Sequence, residues 1–216
     1  MSAFPNSPRL LKGGLVLLDP DSGAVQRVIT LQYNPDTLTR SLAPQSVGAD
    51  SADRSEVLRL KGPPVETFKL EAEIDATDQL ESGDSLAGEQ GIAPQLAALE
   101  TMVYPTSSQL QSNNDLAQLG TLEIIPMQGP LTLFVWSKSR VVPVRVTDFS
   151  VTEEAFDANL NPIRARVSLG LRVLSVTDLG FGNKGAHIYL SYQQQKEQLA
   201  SLNLGRASAL GLSSIP

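Results

Sequence analysis

The chain has no cysteine and a single histidine, His187. Disulfide frameworks, thiol nucleophiles and thiolate metal sites are therefore excluded, and any imidazole chemistry rests on one residue. The fold must hold by burial and hydrogen bonding alone, as suits a reducing cytoplasm. Aromatic residues make up only 5% of the 216 positions, so the stacking platforms that glycan or single-strand binding uses are scarce. The net charge of -6 repels polyphosphates, and no basic cluster is interleaved with aromatics, so nucleic-acid binding is excluded as a function class. Nowhere do about 20 apolar residues run together, and the N-terminus has no long apolar stretch, so neither membrane insertion nor a Sec-type signal is expected.

What is present is ordinary globular composition, with 41% hydrophobic and 19% charged residues. The length predicts one domain plus an appendage, divided as 1–178 and 179–216. The clearest pattern runs from Ile163 to Val173. There Ile163, Ala165, Val167, Leu169, Leu171 and Val173 alternate with Arg164, Arg166, Ser168, Gly170 and Arg172. This is the period-two signature of a half-buried strand, and a one-residue slip would put all six apolar side chains into water. Val65 to Asp75 alternates in the same way, with Phe68, Leu70, Ala72 and Ile74 opposite Thr67, Lys69, Glu71, Glu73 and Asp75.

Turn chemistry punctuates the rest. Asp19 to Gly23 reads as the turn of a hairpin joining Leu15–Leu18 to Val25–Leu31. A short strand is expected over Leu38 to Leu42, a flexible loop over Ala43 to Arg54, and strands over Leu122 to Ile125 and Leu131 to Trp136. Val142, Val144 and Val146 share one phase while Phe149 and Val151 take the other, which requires a bulge near Asp148. Pro143 lacks a ladder donor and suits a bulge or an edge. The next hairpin turn is Asp157 to Pro162. One helix is expected over Pro94 to Val103, bounded by Tyr104-Pro105. Asp78 to Gly91 reads as a mobile acidic loop and Thr106 to Asn114 as a polar connector. Beyond a glycine-rich link, Leu179 to Gly185, a polar helix from His187 to Leu202 carries a thin apolar stripe that includes Ile188, Tyr192 and Leu199.

Three patterns invite chemistry and fail on context. Gly180 to Gly185 satisfies G-x-G-x-x-G, but no second strand or downstream acid follows, so it reads as a hinge. Gly83-Asp84-Ser85-Leu86 matches the block that names a family of serine hydrolases, with Ser85 as nucleophile. His187 lacks the aspartate that would orient it, and a loop serine is the plainer reading. Asp75, Asp78, Glu81 and Asp84 match no metal-loop spacing. No catalytic residue, cofactor or metal site is assigned. The arginines Arg164, Arg166 and Arg172 face outward on one long strand, as Glu71, Glu73 and Asp75 do on the other. These rows are either solvated faces or a charge-paired contact between subunits.

Three blocks in this order resemble the tube-type domain of contractile injection system baseplate proteins, from phage-tail-like particles. They are Leu31-Gln32-Tyr33-Asn34-Pro35, then Gly62-Pro63-Pro64 through Glu66 to Asp78 with Gly91-Ile92-Ala93-Pro94-Gln95-Leu96, and then Phe134-Val135-Trp136 with Phe156-Asp157 and Asn161 to Val167. The resemblance implies a mainly β fold, a tube-protein-like antiparallel barrel or sandwich with one flanking helix, here extended by a C-terminal helix. It further implies a non-catalytic subunit, in a ring of six copies, that joins the spike or hub protein to the inner tube protein and the other baseplate subunits. Assembly would take place in the cytoplasm. Longer relatives carry a LysM module, of which 187–216 shows no repeat. The tail helix is expected to take the adaptor role, docking a neighbour through Ile188, Tyr189, Tyr192 and Leu199. Two other classes remain open, a glycan- or ligand-binding β module and, further off, a hydrolase using Ser85.

Overall fold

A computed structural model describes residues 10–46, 58–118, 120, 127–203, 205 and 209. The expected strand over Leu122 to Ile125 lies outside the described residues, as does most of the loop expected over Ala43 to Arg54. The chain forms one mainly β unit built on a seven-stranded antiparallel sheet of order β2-β1-β5-β6-β7-β4-β3. Its strands are β1 (Gly14–Leu18), β2 (Val25–Thr30), β3 (Leu38–Ala43), β4 (Val65–Asp75), β5 (Leu131–Ser137), β6 (Arg140–Phe156) and β7 (Pro162–Val173).

The alternation in β4 and β7 becomes a shared inner face. Phe68, Leu70, Ala72 and Ile74 meet Ala165, Val167, Leu169 and Leu171 in one core, which also takes Leu15, Phe134, Val142 and Val144. Phe68 and Phe134 pack with ring centroids 5.3 Å apart. The phase change in β6 is resolved as foreseen. Val146 pairs with Leu171 and Asp148 with Gly170, so Thr147 is the extra residue of a bulge. A Cβ on Gly170 would come within 2.9 Å of the Asp148 side chain, which is why the bulge closes on a glycine.

Pro143, in contrast, is neither at an edge nor in a bulge. It is fully buried in β6, between β5 and β7. Its carbonyl accepts from Leu174 N–H at 2.9 Å, just past the last β7 residue. A strand residue's N–H and C=O point to the same side, so the missing donor falls where the β6–β7 ladder ends and breaks no rung.

The sheet curls far enough for its ends to approach. The Gln32 amide donates to Asp75 C=O at 2.6 Å and accepts from Asp75 N–H at 2.9 Å, taking both backbone groups of the last β4 residue. Asn34 adds a second tie, accepting from Gly13 N–H and donating to Leu11 C=O, each at 2.8 Å. Gln32→Ala is expected to cost about 1–2 kcal/mol, since it strips both partners from a half-buried backbone position. Urea unfolding monitored by circular dichroism would measure it.

Among the described residues, four helices and not the single one expected lie between β4 and β5: α1 (Thr77–Glu81), α2 (Ser85–Gln90), α3 (Ala93–Glu100) and α4 (Ser107–Gln118). The helix expected over Pro94 to Val103 is α3, which buries Leu96 and Leu99 and has Pro94 in its first turn. The acidic stretch before it is helical and not a mobile loop. The Asp84 carboxylate caps α2 by accepting from Ala87 N–H at 2.9 Å, turning an apparent loop acid into a helix start. The Ser/Gln/Asn connector is likewise a helix, α4, with no buried residue. After β7 come α5 (Val176–Leu179) and α6 (Lys184–Ser201).

Candidate assembly surface

The two charged rows lie on neighbouring strands of the same subunit. β4 and β7 pair so that Asp75 stands across from Arg164, Glu73 from Arg166 and Thr67 from Arg172. Arg164 Nε donates to Asp75 Oδ2 at 2.6 Å. Arg166 Nε lies 3.3–3.6 Å from Glu71, Glu73 and Glu154, while Arg172 donates to Asp178 at 2.7 Å. The charges that a contact between subunits could have paired are thus already matched inside one copy. Their half-exposed outer edges remain in solvent, where such pairs are worth little.

Asp75 is the hub of this corner. Its carboxylate takes the Thr77 hydroxyl and the Thr77 N–H as well as Arg164, and these bonds hold its pKa below the usual carboxylate value. Asp157 is lowered too, first by the Asn161 side chain at 2.8 Å and then by the N–H groups of Asn161 and Asn159. A carboxylate whose folded pKa is depressed adds stability above its unfolded pKa of about 3.9 and loses it as pH falls through the folded value. The thermal midpoint is therefore expected to be flat near neutrality and to drop below about pH 4. Asp75→Asn should flatten that acid limb, as read by calorimetry across pH.

Parts of the three blocks that carried the resemblance meet here. Gln32 reaches Asp75, Arg164 reaches Asp75, and Ile92 N–H donates to the Pro162 carbonyl at 2.8 Å. Asn161 Nδ2 donates to Glu89 C=O at 3.1 Å, and Ala76 N–H to Ile163 C=O at 2.9 Å. Gly91 makes the approach possible, with φ +57° and a position where a Cβ would sit 2.1 Å from the Pro162 oxygen. Segments far apart in sequence thus form one joint between the β6–β7 turn and α1–α3. Leu160 projects from that turn, 79% exposed and held at φ +66°.

α6 differs from the adaptor arm expected of it. Tyr189 and Tyr192 are each only 4% exposed and belong to the main core, so they are not free to meet a neighbour. Ile188 is half-buried against Leu18 and Leu131. Leu199, at 57% exposure, is the one member of the expected docking set that stands in solvent. Burial raises the pKa of both tyrosines, and the Glu66 carboxylate raises that of Tyr192 further by accepting its hydroxyl at 2.8 Å. Glu66, 2% exposed, also takes Lys196 Nζ at 2.8 Å and lies 3.6 Å from Arg40 Nε. Sequence reasoning passed over this residue. Its signal was parity, because Glu66 shares the inward phase of Phe68 and Leu70 and a carboxylate there needs cations around it.

The chemical motifs resolve into structure. Gly180 ends α5 and Asn183 caps α6 by accepting from Gly185 N–H at 2.8 Å, so the glycine run joins two helices and does not follow a strand. Lys184 Nζ donates to Gly23 C=O at 2.6 Å, tying down a link expected to be a hinge. Ser85 is an exposed first residue of α2 beside a capping Asp84, and His187 is exposed on α6. Among the described residues no group of three or more acidic or histidine side chains is placed to hold a metal ion. No helix among them is long and apolar enough to cross a membrane. An apolar cleft of about 350 Å³ opens between β2, β4 and α3, lined by Ile29, Leu31, Ala72, Ile74 and Leu99.

No protein-family model matches the chain, and no curated protein is similar to it. A solved structure similar to it is a chain in the tail of an empty GTA particle with C6 symmetry. That likeness has 13% identity, covers 74% of this chain and 90% of that one, and has a TM-score of 0.27. Superposition at that level carries no argument.

Proposed function

We propose that the protein is a non-catalytic structural subunit of a phage-tail-like particle, and more narrowly a baseplate component of a contractile injection system. In this role it joins the central spike to the inner tube and the surrounding wedges, in a ring of six copies. The observation that carries the reading is the joint at Asp75. Several of the residues through which the sequence resembles tube-type baseplate proteins, among them Asp75, Gly91, Ile92, Asn161 and Arg164, are spent there on fixing one β turn against the segment of α1 to α3. A chain that spends its motif residues on shape is suited to a geometric task, with the energy for firing supplied by other components.

Leu160 supports the same reading. A large apolar side chain at positive φ, exposed at the tip of a turn, strains the folded state by about 1–2 kcal/mol with no packing in return. Such strain fits a contact made only in the assembly. Leu160→Gly is expected to leave the isolated protein as stable or up to about 1 kcal/mol more stable, while lowering its incorporation into particles. Thermal unfolding and particle recovery, measured on the same variant, separate the two effects. The proposal itself is tested by tagging the chain at its N-terminus and expressing it with its neighbouring genes. Co-purification with spike and tube proteins is expected; a tagged chain that stays solitary while particles form would refute it.

A further inference from the structure

α6 touches both ends of the sheet order. Its first residue, Lys184, bonds the carbonyl of Gly23 in the β1–β2 turn at 2.6 Å. Tyr192 and Lys196 bond Glu66 on β4, each at 2.8 Å, and Glu66 in turn meets Arg40 on β3. Between these anchors Tyr189 sinks into the core. From Lys184 to Lys196 the helix runs about 18 Å, enough to cross several strands at their spacing of about 4.8 Å. β2 and β1 open the sheet order and β4 and β3 close it, so one helix links its two ends. The approach at the first anchor is close, since a Cβ on Gly23 would lie 2.5 Å from the Lys184 side chain.

We propose that α6 is a strap that sets how tightly the sheet curls, and that Glu66 is the positioning residue that locks it. A carboxylate this deeply buried holds its place only while its cations and the tyrosine hydroxyl surround it, which fixes the register of α6 on the sheet. Loosening that lock transmits to the β1–β2 turn because the same rigid helix ends there. Local packing predicts no such reach. The curl governs the angle at which two copies could meet, so the strap would tune any ring built from this subunit.

Glu66→Gln in the full chain tests this, because it keeps the size of the side chain while removing the charge and one of the two acceptor oxygens that Tyr192 and Lys196 meet. Amide hydrogen exchange over residues 19–24 and in β2 is expected to quicken by about tenfold or more, together with α6 itself. Glu66→Gln and Lys184→Met are expected to be non-additive in denaturant unfolding, although such distant substitutions ordinarily add. Exchange changes confined to β3, β4 and the end of α6, with additive effects, would overturn the proposal. Should Glu66→Gln not fold, Lys184→Met alone decides the matter. Faster exchange at Thr39 and Ser41 on the far end supports the strap, and unchanged exchange there overturns it.

Discussion

Replacing Gly91 by alanine should lower stability by about 3–5 kcal/mol, the largest loss expected from any single-methyl change in this protein. Two costs combine. Gly91 holds φ +57° and ψ -131°, a region nearly exclusive to glycine, and an alanine there is strained by about 1–3 kcal/mol. The added methyl would also stand 2.1 Å from the Pro162 carbonyl oxygen. Either the helix segment or the β6–β7 turn must withdraw, and the bond from Ile92 N–H to that oxygen is lost, adding about 1–3 kcal/mol. A domain of this size has roughly 5–15 kcal/mol in hand, so the variant should unfold at much lower urea with an unchanged slope. A loss below about 1 kcal/mol would mean that the joint yields easily and that its geometry is not what the motif maintains.

The second large effect comes from isolating Glu66. Tyr192→Phe with Lys196→Met removes the hydroxyl and the ammonium, leaving the buried carboxylate only Arg40 at 3.6 Å. Stranding one partner of a buried pair costs about 3–5 kcal/mol, and the low end applies because Lys196 is 29% exposed and partly screened. Adding Glu66→Leu to that double variant should restore much of the loss, since the carboxylate then no longer needs partners and its site lies beside the apolar core. Denaturant titration of the double and triple variants checks both steps. A triple variant no more stable than the double would show that packing of α6, and not the stranded charge, accounts for the loss. By the same packing, deleting 187–216 would take Tyr189 and Tyr192 out of the core.

Much of the sheet was legible because strand periodicity is a local property. The register of Ile163 to Val173 follows from alternation alone, and the bulge at Thr147 follows from the phase conflict between Val146 and Phe149. The helices of the β4–β5 connection were not legible. Asp84 and Ser85 look like loop residues until the Asp84 carboxylate is seen to cap a helix, and α4 lacks the apolar stripe by which helices are recognised. The order of strands was hidden for another reason. Asp75 and Arg164 are 89 positions apart, and complementary charge rows fit a subunit interface as well as adjacent strands in one sheet. The antiparallel matches Glu73 with Arg166 and Asp75 with Arg164 were the available clue, since both pairs obey one register.

Within the surface expected to serve assembly, folding has claimed more residues than the pattern suggested. Tyr189 and Tyr192 are buried and Arg164, Arg166 and Arg172 pair with carboxylates of the same subunit, while Leu199 and the outer edges of Glu71, Glu73, Arg164 and Arg166 stay exposed.

The claim that this chain is an assembly component is tested most directly by electron microscopy of particles made from the whole gene cluster with and without it. The account predicts that, in its absence, tubes and spike complexes are no longer joined and complete particles disappear, while restoring the chain returns them. Complete, contractile particles assembled in its absence would contradict the account.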